Sequence, residues 1–211
     1  MNAKLSLQPV CLLMLIMASI MLLSACSTLP PQNPDNICDI FEEHRDWYEA
    51  AIETREKWGA PVHIPMAIMH QESGFRYDAA PPMEYFLWII PTGRASDAYG
   101  YSQAKTPVWG EYVDDAGSWF SDRDEFDDAI DFIGWYMDRT HRVNKVSKWD
   151  TYGQYLNYHE GRGGYRRGSY KKKPWLVKVA RKVEARAKRY SEQYWGCKDE
   201  LSQGWLMRKL F

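Results

Sequence analysis

Apolar residues recur at helical spacing along most of this chain, and no other feature restricts its fold as strongly. The pattern marks six stretches: 37–59, 65–72, 106–116, 123–140, 151–159 and 174–195. Alternation typical of β-strands is scarce, and the sequence shows no internal repeat. At 211 residues, the chain has the length of one ordinary domain. The sequence therefore predicts a mainly α, single-domain fold that occupies residues 37–211.

The segment 75–98 interrupts the helical pattern. It contains Pro81, Pro82 and Pro91, yet it also carries an apolar run at 85–90. An exposed apolar segment of this kind needs a partner or a fold of its own. It is either a hairpin or helix-turn at the edge of a cleft, or a segment packed down as core.

The first 25 residues are predicted to be a signal peptide. An apolar stretch at 10–23 is shorter than a membrane-spanning helix requires. It ends in Leu-Ser-Ala-Cys, which resembles a bacterial lipobox and implies cleavage before Cys26 and lipid attachment to its thiol. Ser27 then favours the outer membrane, and the proline-rich residues 26–36 form a lipidated tether. The alternatives are an ordinary signal peptide or a retained membrane anchor.

Two cysteines remain for the folded domain. Cys11 leaves with the signal segment and Cys26 is assigned to the lipid, so Cys38 and Cys197 are left as a pair. In an oxidising compartment such a pair favours a disulfide that ties the start of the domain to its end. The alternative is two buried free thiols.

Charge and aromatic content bear on the partner. Residues 1–140 carry 9 Lys or Arg and 22 Asp or Glu, whereas residues 141–211 carry 18 and 6. A basic surface can meet an anionic partner, and a carboxylate-bearing polymer fits better than nucleic acid because no nucleic-acid module is visible. Ten Trp and fourteen Tyr indicate a core of large rings, a sugar-binding groove, or both.

Three short segments carry the chemistry. Residues 69–75 read Met-His-Gln-Glu-Ser-Gly-Phe, residues 98–104 read Ala-Tyr-Gly-Tyr-Ser-Gln-Ala, and residues 155–161 read Tyr-Leu-Asn-Tyr-His-Glu-Gly. In this order they resemble the Glu-Ser, Gly-Leu-Met-Gln and Tyr-Asn-Ala-Gly segments of the soluble-lytic-transglycosylase family, in the lysozyme-like superfamily. The resemblance implies a lysozyme-like fold, as in the catalytic domains of goose-type lysozymes and transglycosylases.

The resemblance also implies roles for matching positions. Glu72 takes the place of the catalytic acid and base, and the Tyr158 hydroxyl would hydrogen-bond it and hold its rotamer. Gly161 would turn the chain close to the site. The predicted substrate-binding residues are Ser73, Gly100, Tyr101, Ser102, Gln103, Tyr158, His159 and Glu160. Four of these depart from the family pattern, because Tyr101-Ser102 replaces Leu-Met and His159-Glu160 replaces Asn-Ala, which indicates a divergent subfamily.

A single acid is enough for the chemistry that the resemblance implies. Burial beside an apolar helix would raise the pKa of Glu72, which could protonate the glycosidic oxygen between N-acetylmuramic acid and N-acetylglucosamine. The same carboxylate would then take the proton of the muramoyl C6 hydroxyl and yield a 1,6-anhydro product. A hydrolase normally needs a second carboxylate. Glu160 could be that group if it faces Glu72, although a structural role is expected for it and for Glu84 and Asp97.

Two other groups of polar residues give weaker indications of function. His63, His70 and His159 do not have the spacing of a zinc site, so neither a metal nor a cofactor is expected. A basic loop contains Arg162, Arg166, Arg167, Lys171, Lys172 and Lys173. It is either a solvated loop or a patch that meets carboxylates of the substrate.

Taken together, these features predict a monomeric lytic transglycosylase that acts on peptidoglycan glycan strands. Lipid on Cys26 would hold it at the periplasmic face of the outer membrane. The alternatives are a muramidase that hydrolyses the same bond, and a glycan-binding lipoprotein without activity.

Overall fold

The computed structural model describes residues 29–87 and 89–210, with the backbone alone at residues 86, 91 and 204–210. The predicted signal segment and Cys26 lie outside these residues. Within them, the chain forms seven α-helices, one β-hairpin and a short 3₁₀ helix, so the mainly α prediction is confirmed. The helices are α1 (Ile37–Glu43), α2 (Arg45–Trp58), α3 (His63–Ser73), α4 (Thr106–Asp115), α5 (Phe126–Asn144), α6 (Thr151–Arg167) and α7 (Pro174–Leu210). The strands are β1 (Met83–Phe86) and β2 (Ile90–Arg94), and the 3₁₀ helix spans Ser169–Lys172.

The helical stretches differ most from the predicted ones in three places, one of which is the last helix, which continues to Leu210 and does not end at residue 195. The first stretch is divided at His44, which is 4% exposed and stacks on Trp47 with ring centroids 4.1 Å apart. The glycines at 161–164 do not end α6, which continues to Arg167. Gly161 instead leaves the helical conformation, with φ 72° and ψ 154°, and kinks the helix.

The segment 75–98 forms an exposed hairpin. Its strands are antiparallel, with Met83 opposite Arg94, and Leu87 and Ile89 near its tip are 65% and 79% exposed. This outcome agrees with the hairpin interpretation and not with a segment packed into the core.

The core lies between α2, α3, α5, α6 and α7. Trp47 of α2 stacks on Phe126 of α5 with ring centroids 4.1 Å apart and an interplanar angle of 3°. The long α7 packs against α1, α3 and α6 through one apolar stripe that includes Leu176, Val183 and Tyr190. Because α3 is enclosed on most sides, its central residues from Ile64 to Met69 are buried.

The predicted disulfide joins the two ends of the domain. Cys38 in α1 is bonded to Cys197 in α7, with their Cα atoms 6.1 Å apart. The residues just before α1 also bind α7, since the Tyr190 hydroxyl donates a hydrogen bond to the Pro34 carbonyl and Arg186 pairs with Asp35. The last part of the predicted tether therefore lies against the middle of the domain's final helix.

Candidate active site

Glu72 is presented by the last turn of α3. The helix tolerates Pro65 because this residue lies in its first turn, where the backbone N–H has no partner within the helix. It ends at Gly74, whose left-handed conformation (φ 63°) lets its N–H bind the carbonyl of His70. The chain then turns away, and Phe75 is fully buried. This ending leaves the Glu72 side chain at the wall of a groove.

The groove has a volume of about 450 Å³ and is lined by five parts of the chain. Glu72 comes from α3, Val108 from α4, and Phe132 and Tyr136 from α5. The remaining lining residues belong to the segment 81–105 and to the kinked part of α6: Pro81, Ser96, Ala98, Gln103, Ala104, Lys105, Tyr158, His159, Glu160 and Gly161. The hairpin rises between Pro81 and Ser96, so it stands at the rim of this groove.

The carboxyl group of Glu72 is held in a setting that favours its protonated form. Its Oε1 atom is buried and has no hydrogen-bond partner in the described part of the chain. Burial raises the pKa of Glu72 from 4.5 to about 7, and a hydrogen bond from the Tyr155 side chain opposes part of this rise. Both protonation states are therefore accessible near neutral pH, as a group that first donates and then accepts a proton requires.

The predicted contact between Tyr158 and Glu72 needs correction. The Tyr158 hydroxyl donates a 2.6 Å hydrogen bond to the backbone carbonyl of Ser102, and Tyr155 is the tyrosine that hydrogen-bonds Glu72. Tyr158 is still close enough for the charge of Glu72 to raise its pKa. Tyr155 lies three residues before Tyr158, on nearly the same face of α6. That spacing is a signal in the sequence, but it cannot say which of the two rings reaches the acid.

The second segment, residues 98–104, borders the groove. Only some of its predicted substrate-binding residues reach the groove. Gly100 has φ 73°, and a Cβ atom there would lie 1.9 Å from the backbone oxygen of Arg123, so only glycine fits. Gln103 lines the groove, and its side-chain amide donates hydrogen bonds to the carbonyls of Ala79 (2.7 Å) and Gly100 (3.0 Å). Gln103 thus braces the segment next to the groove.

Tyr101 and Ser102 lie in the core, which corrects their predicted place beside the substrate. Tyr101 is 2% exposed, and its ring lies edge-on to Trp47 and Phe126 with centroids 5.7 Å apart in each case. Ser102 is fully buried, and only its carbonyl is seen to contribute, as the acceptor for Tyr158. The large ring of Tyr101 is explained by its apolar packing against the rings of Trp47 and Phe126.

Ser73 and His159 flank the groove in different ways. The Ser73 hydroxyl donates a hydrogen bond to the Met69 carbonyl within α3 (3.2 Å), and the residue is not part of the groove lining. His159 does line the groove, and its ring lies edge-on to Trp175 at 5.3 Å. Of the two, His159 has the position to meet a ligand.

Glu160 lies in the groove wall, but its carboxylate is bound on both oxygens. Lys173 donates to Oε1 at 2.7 Å, His159 lies 3.2 Å from the same oxygen, and the Ser169 hydroxyl donates to Oε2. Burial raises the pKa of Glu160, but these hydrogen bonds outweigh it and hold the pKa below its usual value. The side chain is 4% exposed. Glu160 therefore fastens α6 to the residues that follow it.

The residues predicted to form a basic loop lie mostly on α6 and the 3₁₀ helix, and two of them have partners inside the protein. Lys173 pairs with Glu160, and Arg162 pairs with Glu111 at 3.1 Å while its guanidinium lies 4.8 Å from the centroid of Tyr136. Arg162 thereby connects α6 to α4 and α5 beside the groove. The sequence did not point to Phe132 or Tyr136 as groove residues, because their helix shows only an ordinary apolar stripe.

Neither a metal cluster nor a membrane helix is found in the described ranges. No group of three or more His, Cys, Asp or Glu among residues 29–87 and 89–210 could hold a metal ion. None of the helices formed by those residues is both long enough and apolar enough to cross a membrane.

Comparison with known proteins gives one match. A family model described as transglycosylase SLT domain matches residues 14–197, which include Glu72, the groove and both disulfide cysteines. No curated protein and no solved structure matches the chain.

Proposed function

Since the chain belongs to the transglycosylase SLT domain family, which implies an enzyme that degrades peptidoglycan, we propose that it is a lytic transglycosylase with Glu72 as its only acid and base. The observation that carries the proposal is the buried Glu72 carboxyl in the groove, with a pKa raised to about 7. A carboxylic acid in this state can donate a proton at the pH of the periplasm.

The reaction would proceed in two proton transfers. Protonated Glu72 donates to the oxygen that links C1 of N-acetylmuramic acid to C4 of N-acetylglucosamine, and the C1–O bond breaks. The departing N-acetylglucosamine leaves with a free C4 hydroxyl. The muramoyl C6 hydroxyl then forms a bond to C1, and its proton passes to the Glu72 carboxylate. The acid is restored, and the muramoyl end carries a 1,6-anhydro ring.

The state of Glu160 supports this route over hydrolysis. Within the groove as the described residues form it, Glu72 and Glu160 are the two carboxylates. A hydrolase needs a second carboxylate that is free to activate water or attack the sugar. Glu160 is engaged by Lys173, Ser169 and His159, and its pKa is lowered, so it is a weak base with no free oxygen.

The groove also suits a sugar chain in its other properties. The rings of Phe132, Tyr136 and Tyr158 form an apolar part of the lining, in which Phe132 and Tyr136 are almost fully buried, and Lys105 supplies a cation. Gln103 and His159 offer hydrogen-bonding groups to a glycan or its peptides. We place the mature protein at the periplasmic face of the outer membrane, as a monomer held by lipid on Cys26.

Digestion of purified sacculi tests the proposal. The wild-type protein should release muropeptides that end in 1,6-anhydro-N-acetylmuramic acid, which borohydride does not reduce and which are one water lighter than hydrolytic products in mass spectrometry. A muramidase would instead release reducing ends. The Glu72→Gln variant should release neither product while it still binds sacculi.

The matched control is Glu160→Gln. If Glu160 only holds the structure together, this variant keeps the anhydro product and loses stability. Reducing ends from the wild type that disappear in Glu160→Gln would refute the single-acid mechanism. If every function of the wild-type protein is unchanged in the Glu72→Gln variant, the result would favour the alternative of a glycan-binding lipoprotein without activity.

A further inference from the structure

A second cavity lies behind the catalytic helix, between α3 and α7. It has a volume of about 240 Å³. Apolar residues form part of its wall, and the rest is basic or hydrogen-bonding; the lining consists of Ala67, His70, Gln71, Lys182, Val183, Ala185, Arg186 and Arg189. No carboxylate belongs to this lining. The cavity therefore presents a positive surface that is separate from the groove.

The cationic side chains of the cavity continue along α7 as a stripe. Lys178, Lys182, Arg186 and Arg189 recur at intervals of four, four and three residues, which places them on one face of the helix. Among the buried residues of α7, Ala180 and Ala187 lie on nearly the opposite face, whereas Val183 and Tyr190 border Arg186. We call these four cations the basic stripe.

Three of the four cations have no partner in the described part of the chain. Lys178, Lys182 and Arg189 are exposed and make neither a hydrogen bond nor an ion pair there. Arg186 is bound to Asp35, and the two glutamates on neighbouring faces of α7 already pair with Arg181 and Lys188. A stripe of unpaired charge on a rigid helix is suited to an extended anionic surface.

The N-terminal segment determines how far this stripe can lie from the membrane. Asp35 binds Arg186 and Pro34 accepts from Tyr190, so this segment lies against the stripe. The N–H of Gln32 then binds Glu43 of α1 and Pro31 is buried, so the chain leaves the domain near residue 31, a few residues before the stripe. Pro34 lies eight positions after Cys26, so the two residues are at most about 28 Å apart when the chain is fully extended. A lipid on Cys26 would thus keep the stripe within a short distance of the headgroups.

We infer that the basic stripe and its cavity bind the phosphate groups of anionic lipids, so that the protein docks on the membrane with α7. This inference rests on the lipid anchor of the proposed function. Each cation close to such a surface contributes about 1 kcal/mol, or a factor of about 5 in binding. His70 adds no charge, because burial and the field of Arg186 lower its pKa to about 4.

This docking would also orient the active site. Successive residues of an α-helix are rotated by about 100°. Ala67, His70 and Gln71 therefore share one face of α3, and Glu72 points roughly 150° away from the middle of that face. With α7 against the membrane, the groove opens away from the lipid, on the side where the cell wall lies.

Lysine labelling of the full-length protein tests the inference without any mutation. The protein is reconstituted in vesicles of phosphatidylcholine, or of phosphatidylcholine with phosphatidylglycerol, and is briefly treated with acetic anhydride before mass spectrometry. Lys171 and Lys172 on the 3₁₀ helix serve as internal controls, since both are exposed. We expect labelling of Lys178 and Lys182 to slow by about tenfold or more with phosphatidylglycerol, and to recover at high salt. The controls should change by less than about twofold.

A double variant sharpens the result. In Lys182→Glu/Arg189→Glu, the protection of Lys178 should disappear, whereas Lys171→Glu/Lys172→Glu should leave it intact. Cleavage of soluble glycan fragments at the wild-type rate by both variants would show that they fold. Labelling does not depend on cleavage, so Glu72→Gln should be protected like the wild type even if the proposed activity is wrong.

Four results would overturn the inference. Equal labelling of all four lysines in anionic vesicles would show that the stripe faces solvent. Protection by inorganic phosphate in detergent, with no added effect of vesicles, would indicate a site for a free anion. Protection in detergent that grows with protein concentration would indicate a second copy of the chain. An intact mass without lipid on Cys26 would remove the tether on which the geometry depends.

Discussion

Replacement of Glu72 by Gln should make the protein more stable, by an amount that grows with pH. In the folded protein the carboxyl has a pKa of about 7, whereas the ordinary value is 4.5. Between these two values the folded state holds a proton that the unfolded state has released. Since the folded state then binds more protons, the stability of the wild type falls as the pH rises through this window. Glutamine has the same shape and does not titrate.

The magnitude follows from the two pKa values. One pH unit corresponds to about 1.4 kcal/mol, so the distance from 4.5 to about 7 amounts to about 3 kcal/mol. The difference in the free energy of unfolding between the variant and the wild type should therefore be smallest below pH 4.5. It should increase between 4.5 and 7 by about 3 kcal/mol, and stay constant above that.

Urea denaturation at a series of pH values measures this difference, with the disulfide kept intact. Glu160→Gln is the control of opposite sign, because the pKa of Glu160 is lowered by its hydrogen bonds. That ion pair stabilises the wild type above the unfolded pKa, and its contribution is lost as the pH falls. Its removal should therefore cost stability at neutral pH. A Glu72→Gln difference that does not vary with pH would refute the argument that burial drives the pKa.

Activity should report the same ionisation. The proposed mechanism requires Glu72 to be protonated in the free enzyme, so it predicts that kcat/KM of the wild type falls as the pH rises past about 7. If stability shows a pKa near 7 and kcat/KM shows none, Glu72 is a buried acid without a catalytic role.

Three further predictions concern single features. Tyr155→Phe removes the hydrogen bond that lowers the pKa of the Glu72 carboxyl, so the alkaline limb of kcat/KM should move to higher pH; an alkaline limb at the wild-type pH would contradict this contact. Gly100→Ala should cost about 3 kcal/mol or more in urea denaturation, because φ is positive and the new Cβ would overlap a backbone oxygen, whereas Gly110→Ala in open space within a helix should be neutral or stabilising. Replacement of both Cys38 and Cys197 by Ser should lower the free energy of unfolding by about 5 kcal/mol on the chain-entropy model, because the disulfide closes a loop with a sequence separation of 159 residues. An unchanged midpoint of urea denaturation would contradict this prediction.

Much of the fold could be predicted from the sequence because it depends on residues that are close together in the chain. The helical stretches, and the ends of α2 and α3 next to Gly59 and Gly74, follow from patterns within four or five residues. The pairing of Cys38 with Cys197 followed from elimination, since no other cysteine was left for the domain. The break at His44 was missed, because stacking on Trp47 and not a helix-breaking residue accompanies it.

The sequence by itself determined the class of fold, the order of its helices and the presence of a Glu in a family-specific segment. It could not determine which tyrosine meets that Glu, because Tyr155 and Tyr158 have the same chemistry and nearly the same helical face. It could not place Tyr101 in the core, since the rings that cover it come from α2 and α5. Nor could it show that the Glu160 carboxylate is bound on both oxygens, because the lysine that pairs with it lies between the 3₁₀ helix and α7. Whether a side chain is buried, and which groups it contacts, depends on segments that are far apart in the chain. Only the tertiary structure brings those segments together.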